Sequence, residues 1–189
     1  MGYLHFGAQL DMADRWAGEK NTSPCTLARV TELPNVGAEN VAHVGARNSL
    51  NPKDHVDLAN ERGVRFYPMF EVLDRGIDAV MTEAADRVWN GTDAQYLSLN
   101  MNVMDASAAP GVTAPEPGGL ESREIMKVAT MLGGRGSVSL IEVSELCPVF
   151  DVSGTTSKLA ACVVLRLMAA MARQRGESVD QSIKRPNLS

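Results

Sequence analysis

The sequence predicts an α/β domain of three layers, with helices on both sides of a mainly parallel sheet. Three observations predict it. Short β-prone runs alternate with longer helical segments along the chain, which is the pattern of strand–helix–strand units. The segment Glu71 to Trp89 carries apolar residues at Val72, Leu73, Ile77, Val80, Met81, Ala84, Ala85 and Val88, close to the 3.6-residue helical period. No internal repeat and no break in composition divides the 189 residues, 44% of which are hydrophobic, so one domain can bury a full core.

Taken in order, Tyr3 to Phe6 is the first β-prone run and ends in Gly7-Ala8. Asn40 to Ala46 alternates as a second strand and leads into the turn-rich Asn48-Ser49-Leu50-Asn51-Pro52. Pro52 suits the first turn of a helix running to about Arg62, and Gly63 suits its end. Val64 to Tyr67 is the third strand, and Glu71 to Trp89 is one amphipathic helix that tolerates Gly76. Gln95 to Met101 is the fourth strand. Asp105 to Gly119 holds three of the nine prolines and three of the sixteen glycines, too many for regular structure; composition alone leaves an ordered loop and a linker both open. Glu121 to Leu132 reads as a helix, Val138 to Val143 as a strand, and Ser157 to about Gln174 as a long helix with a broad apolar face. The expected domain is 1–175, and 176–189 is a polar, frayed tail.

Charge and cysteine content narrow the function classes. A net charge of −5 argues against a nucleic-acid surface, which needs clustered Lys and Arg. Cys25, Cys147 and Cys162 have no metal-ligand spacing and are odd in number, so free thiols in a reducing, cytoplasmic compartment are expected. No stretch is expected to span a membrane, since Arg166 interrupts the most apolar segment, Leu159 to Met171. His5, His43 and His55 are scattered along the sequence and lack the spacing of a ligand pair.

In parallel α/β sheets the working residues gather where strands end and loops leave. Two such ends hold candidates, Gly7-Ala8-Gln9-Leu10-Asp11 and Asn100-Met101-Asn102. Alternate residues there point the same way, so positions 7, 9 and 11 converge, as do 100 and 102. Carboxylates and an imidazole at these places would hold two divalent ions and a bridging hydroxide. Amides and a glycine stand there instead. Asp11 also has a plain alternative, a helix start ion-paired locally with Asp14 and Arg15.

Ser98 to Asp151 resembles the ureohydrolases, the arginase and agmatinase family. The family pattern is Ser-x-Asp-x-Asp-x-x-Asp-Pro followed by a Pro-Gly loop ending in Pro-x-x-Gly-Gly-Leu. This chain carries Asn100 and Asn102 at the two ligand Asp positions, keeps Asp105, has Ala106 for the proline, and retains Pro115 to Leu120. Phe6 to Asp11 resembles the family's Asp-Ala-His-x-Asp motif, with Gly7 for Asp and Gln9 for His. Only Asp11 remains as a plausible ligand. Ile141-Glu142-Val143 and Cys147 to Asp151 resemble the late Glu-Val-x-Pro-x-x-Asp segment, which puts Glu142 where the family orients a guanidinium. No histidine lies near Asn21 to Cys25, where the family's His-Gly loop should fall.

The resemblance implies an arginase-like fold that is incomplete on its N-terminal side, with 1–175 as its C-terminal two-thirds, by truncation or as a piece of a longer protein. It implies manganese or nickel in family members, assembly into trimers or hexamers, and hydrolysis of guanidino compounds by a metal-activated hydroxide. For this chain the degenerate positions Gly7, Gln9, Asp11, Asn100 and Asn102 imply no metal, no catalytic residue, and Glu142 as the substrate contact. The expected role is an inactive subunit supporting an active, metal-bearing paralogue. Metal-dependent ureohydrolase activity and non-catalytic binding of a cationic guanidino ligand are the alternatives.

Overall fold

A computed structural model describes residues 1–177; the remainder of the expected tail lies outside the described residues. Five strands, β1 (Gly2–Phe6), β2 (Val41–Val44), β3 (Arg65–Tyr67), β4 (Gln95–Asn100) and β5 (Val138–Ser144), form one sheet. Its order is β3-β2-β1-β4-β5, and every pairing is parallel. The chain builds outward from β1 through β2 to β3, then returns to the other side of β1 for β4 and β5. That reversal places a switch point between β1 and β4, where loops diverge and open a crevice. Both candidate strand ends lie at it.

Alternation along the strands sorts two faces. Leu4, Phe6, Ala42, Val44, Leu97 and Leu99 face one core with the helices α4 (Ile77–Trp89) and α5 (Ser122–Gly134), through Val80, Met81, Ala84, Val88, Ile125 and Leu132. Tyr3 and Val41 face the other, packed with Leu10, Met12, Leu27, Ala59 and Val64. The three-layer expectation holds. A capping box of Glu121 and Glu124 starts α5, the Glu124 carboxylate accepting from the Glu121 N–H at 2.8 Å.

Several elements differ from expectation. The segment expected as one helix from Glu71 is two, α3 (Met69–Arg75) and α4, because Gly76 takes φ 80° and ψ 145°, a conformation closed to side-chain-bearing residues. The apolar period continues across the break because Met69 and Val72 of α3 and Ile77, Val80 and Met81 of α4 are buried in the same core. A short helix, α1 (Thr26–Val30), had no period long enough to be read; it is held by Leu27 and Ala28 N–H groups donating to the Asp11 carbonyl at 2.9 and 3.2 Å. The helix α2 (Lys53–Glu61) follows Pro52 as expected, and α6 (Thr155–Gln174) begins two residues before its expected start.

By length and composition α6 is apolar enough to cross a membrane, contrary to the reading that Arg166 forbids it. Its apolarity has a packing cause on one side, where Ala160, Val163, Leu167 and Ala170 are buried in the core shared with α5. Leu165 and Met168 are exposed on the other side.

Candidate functional site

The strand ends of β1 and β4 are tied together by amides. Asn102, 1% exposed, accepts from the Ala8 N–H through Oδ1 at 2.9 Å and donates from Nδ2 to Gln9 Oε1 at 2.6 Å. Asn100 Oδ1 accepts from the Asn102 N–H at 3.0 Å, turning the chain at the end of β4. Asn51 clamps the same segment from the other side: its Oδ1 accepts from the Leu10 N–H at 2.8 Å, and its Nδ2 donates to the Ala8 and Arg47 carbonyls. Gln9, Asn100 and Asn102 therefore do converge into a neutral hydrogen-bonded set, while the Gly7 N–H donates to the Val44 carbonyl of the neighbouring strand.

That set does not fit the manganese or nickel pair implied by the resemblance. Gly7 offers no donor. The side-chain oxygens of Gln9, Asn100 and Asn102 are each engaged by an N–H group, and neutral amides offset little of a hard cation's charge. Among the described residues no group of three or more His, Cys, Asp or Glu is placed to hold a metal ion.

Two of the scattered histidines prove adjacent. His5 of β1 and His43 of β2 are register partners whose ring centroids lie 5.0 Å apart, edge to face, and both are buried. His43 Nε2–H donates to the Gln9 carbonyl at 2.8 Å. Burial holds the His43 pKa down at about 4 and that of His5 well below the imidazole range, with His43 adding to the effect on His5. Both rings are neutral at pH 7.

The ordered-loop alternative is the correct one for Asp105 to Gly119. Asp105 accepts from the Ser107 N–H and hydroxyl and from the N–H groups of Gly118 and Gly119, and the Ser107 bonds foremost hold its pKa at about 2. Arg47, which carried no sequence signal, gathers carbonyls from both sides of the loop: Gly45, Asn102, Val103, Met104, Glu116 and Pro117. Gly119 is required beside it, because a Cβ there would stand 2.5 Å from Val103 O and 2.6 Å from Arg47 Nη2.

Next to the amide set opens a cleft of about 360 Å³, lined by Gln9, Asp11, Trp16, Leu50, Pro52, His55, Ala114 and Glu145 among others. Asp11 is 8% exposed and pairs with no Lys or Arg among the described residues; its nearest basic group is the neutral His5, at 3.9 Å. The expected local pair with Arg15 does not form. Arg15 donates to the Gly18 carbonyl, and Asp14 pairs with Arg29 and Lys20 instead. Burial raises the Asp11 pKa to about 7, with the Glu145 charge adding to the rise, and burial raises Glu145 as well. Asp11 and Glu145 both hold positive φ, 51° and 66°, which side-chain-bearing residues rarely adopt.

Glu142, the substrate contact that the resemblance implies, lies inside a strand. It sits within β5 opposite Ser98 and accepts from the Tyr96 hydroxyl at 2.8 Å, and it is not among the cleft-lining residues. The acid at the cleft is Glu145, three residues on, just past the last residue of β5. Its position follows the rule that loops leaving strand ends line the crevice, whereas Glu142 lies inside the strand.

Comparison with known proteins agrees with this fold. The Arginase family model matches residues 1–170. The chain is 30% identical to guanidinopropionase of Pseudomonas aeruginosa over 94% of its own length and 55% of that protein's. It is 29% identical to formimidoylglutamase of Halalkalibacterium halodurans, covering 89% of this chain and 52% of that one. Among solved structures, formimidoylglutamase from Bacillus subtilis superposes with a TM-score of 0.84 at 26% identity, over 90% of this chain and 53% of that one. Arginase from Bacillus cereus gives 0.80 at 26% identity, over 88% and 61%. The chain thus spans about half the length of the curated relatives it matches, and it belongs to the arginase family.

Proposed function

We propose that this chain is a non-hydrolytic arginase-family subunit that lacks the binuclear metal centre and supports an active, metal-bearing paralogue acting on guanidino compounds. The observation carrying this reading is the closed amide set of Gln9, Asn100 and Asn102 at the strand ends. It joins the two loops through neutral hydrogen bonds, the mechanical task that shared metal ligands would otherwise perform. Isolated carboxylates at these places would repel one another and resist desolvation, so amides are the stable occupants of a metal-free site. A mixed assembly also suits the unpaired outer edge of β5, which among the described residues pairs only with β4, and the exposed Leu140 on that strand.

Family membership favours a second reading, metal-dependent hydrolysis of a guanidino compound, with Asp11 as the retained ligand position. Elemental analysis of the purified protein separates the two. The first expects manganese and nickel far below one ion per chain and co-purification with a ureohydrolase that keeps its Asp and His ligands. Stoichiometric metal, or failure to associate with every such paralogue, overturns it.

A further inference from the structure

We propose that Asn90 is a site of spontaneous deamidation, a covalent modification that turns it into a mixture of aspartate and isoaspartate at the end of α4. Asn90-Gly91 is the one Asn-Gly step in the sequence. Asn90 follows the last residue of α4, is exposed, and with φ −66° and ψ 109° has left the helical backbone. Among the described residues its side-chain amide makes no hydrogen bond, and the Gly91 N–H donates none. Gly91 holds φ 67°, and even an added Cβ there would meet nothing within 4 Å, so the backbone nitrogen after Asn90 is unshielded. The other asparagines are placed differently. Asn60 lies inside α2, Asn100 and Asn102 are buried and hydrogen-bonded, and Asn51 precedes a proline, which has no N–H to give.

In the reaction the Gly91 nitrogen attacks Asn90 Cγ. The N–Cγ bond forms, the Cγ–Nδ2 bond breaks, and Nδ2 leaves as ammonia with the Gly91 proton. Solvent water then opens the cyclic imide. Attack at Cγ leaves an ordinary aspartate; attack at the former Asn90 carbonyl carbon leaves isoaspartate, whose main chain runs through Cγ and is longer by a methylene. That carbonyl is in use. Asn40 Nδ2 donates to it at 2.8 Å and to the Arg87 carbonyl at 3.1 Å, capping oxygens that the end of α4 leaves unpaired. Both products set a new negative charge at the C-terminal end of α4, where the helix dipole disfavours it. The lengthened chain falls within 90–94, the short connection from α4 to β4, and the Ala94 carbonyl at its far end accepts from the Gly2 N–H at 2.9 Å. Modification therefore loosens the join between α4 and the β1–β4 centre of the sheet.

The full chain and its Asn90→Gln variant are held at pH 7 and at pH 9 and sampled over days by peptide mass mapping, isoaspartyl methyltransferase labelling and thermal melting. Reaction at Asn90 is expected to run about tenfold faster than at any other asparagine, and faster at pH 9, where base removes the Gly91 amide proton. Asn90→Gln is expected to melt near the parent when fresh and to remain unlabelled at this position, because its longer side chain would have to close a larger ring. The aged parent is expected to melt about 2–4 °C below the fresh protein, while aged Asn90→Gln holds its melting temperature. Equal rates across the asparagines, or methyltransferase labelling undiminished in Asn90→Gln, overturns the site. Accumulated isoaspartate with an unchanged melting temperature overturns its structural consequence.

Discussion

The amide set and the cleft adjoin each other, share Gln9, and solve opposite electrostatic problems. In the amide set every side-chain oxygen meets an N–H group, no formal charge is present, and the strand ends are locked. In the cleft two acids are desolvated and, among the described residues, have no Lys or Arg partner, and both sit on left-handed backbone. The network is neutral and ties the two strand ends, although it leaves the Gln9 Nε2 buried without a partner among the described residues. Strain and unpaired buried charge persist where something other than stability maintains them. The difference sets a hydrogen-bonded tie at the two strand ends against a pair of uncompensated acids in the adjoining cleft.

The strongest test of that contrast is Asn102→Ala. It removes the acceptor of the buried Ala8 N–H and the donor to Gln9 Oε1, leaving both without partners. A loss of about 2–4 kcal/mol is expected in urea unfolding, from two stranded groups in a buried network. A loss near zero would show that the strand ends do not depend on the amides.

Asp11→Asn should act in the opposite direction. The native pKa of about 7 lies above the ordinary 3.8, so at pH 8 the folded state holds a buried charge that the unfolded chain solvates freely. Asn removes that charge and is itself tolerant of positive φ. A gain of roughly 1–2 kcal/mol at pH 8 is expected, below the full shift because a buried amide also wants partners. Destabilisation would mean that the carboxylate is held by interactions the geometry does not contain.

The same pair of proteins gives a smaller, pH-resolved effect. A carboxyl group with raised native pKa contributes stability below its unfolded pKa and loses it as pH rises through the native value. The parent should therefore fall in stability relative to Asp11→Asn between about pH 4 and pH 7, and the gap should then stay constant. His5 and His43 work the other way. Their depressed pKa values make stability present above the ordinary imidazole range and lost as pH falls toward about 4. Both proteins carry them, so they cancel in the difference measured by chemical denaturation.

How far the sequence announced this can be read residue by residue. Strand alternation and the helical period located the sheet and the long helices, because burial on two faces leaves a local pattern. Gly76 broke the long helix without disturbing that period, since two helices on one surface keep one stripe. The convergence of positions 9, 100 and 102 followed from strand geometry. The contact between His5 and His43 did not, because parallel neighbours 38 residues apart meet only once the register is known. Arg47 was equally silent: its partners are six backbone carbonyls, which carry no residue identity.

Glu142 and Glu145 supply the finest test, because they stand three residues apart and differ in what they face. Glu142 is a strand residue with a hydroxyl partner in Tyr96, and Glu142→Gln keeps an oxygen acceptor for that hydroxyl. Its stability change should stay within about 0.5–1 kcal/mol in urea unfolding, the worth of one partly exposed bond. Glu145→Gln removes charge from the cleft while the Thr113 hydroxyl can still donate to the amide oxygen, so it should cost the fold no stability in the same measurement. If the two substitutions exchanged these outcomes, the acid past the strand end would be the structural one, and the contrast between a tied strand and an uncompensated cleft would fail at that edge of the sheet.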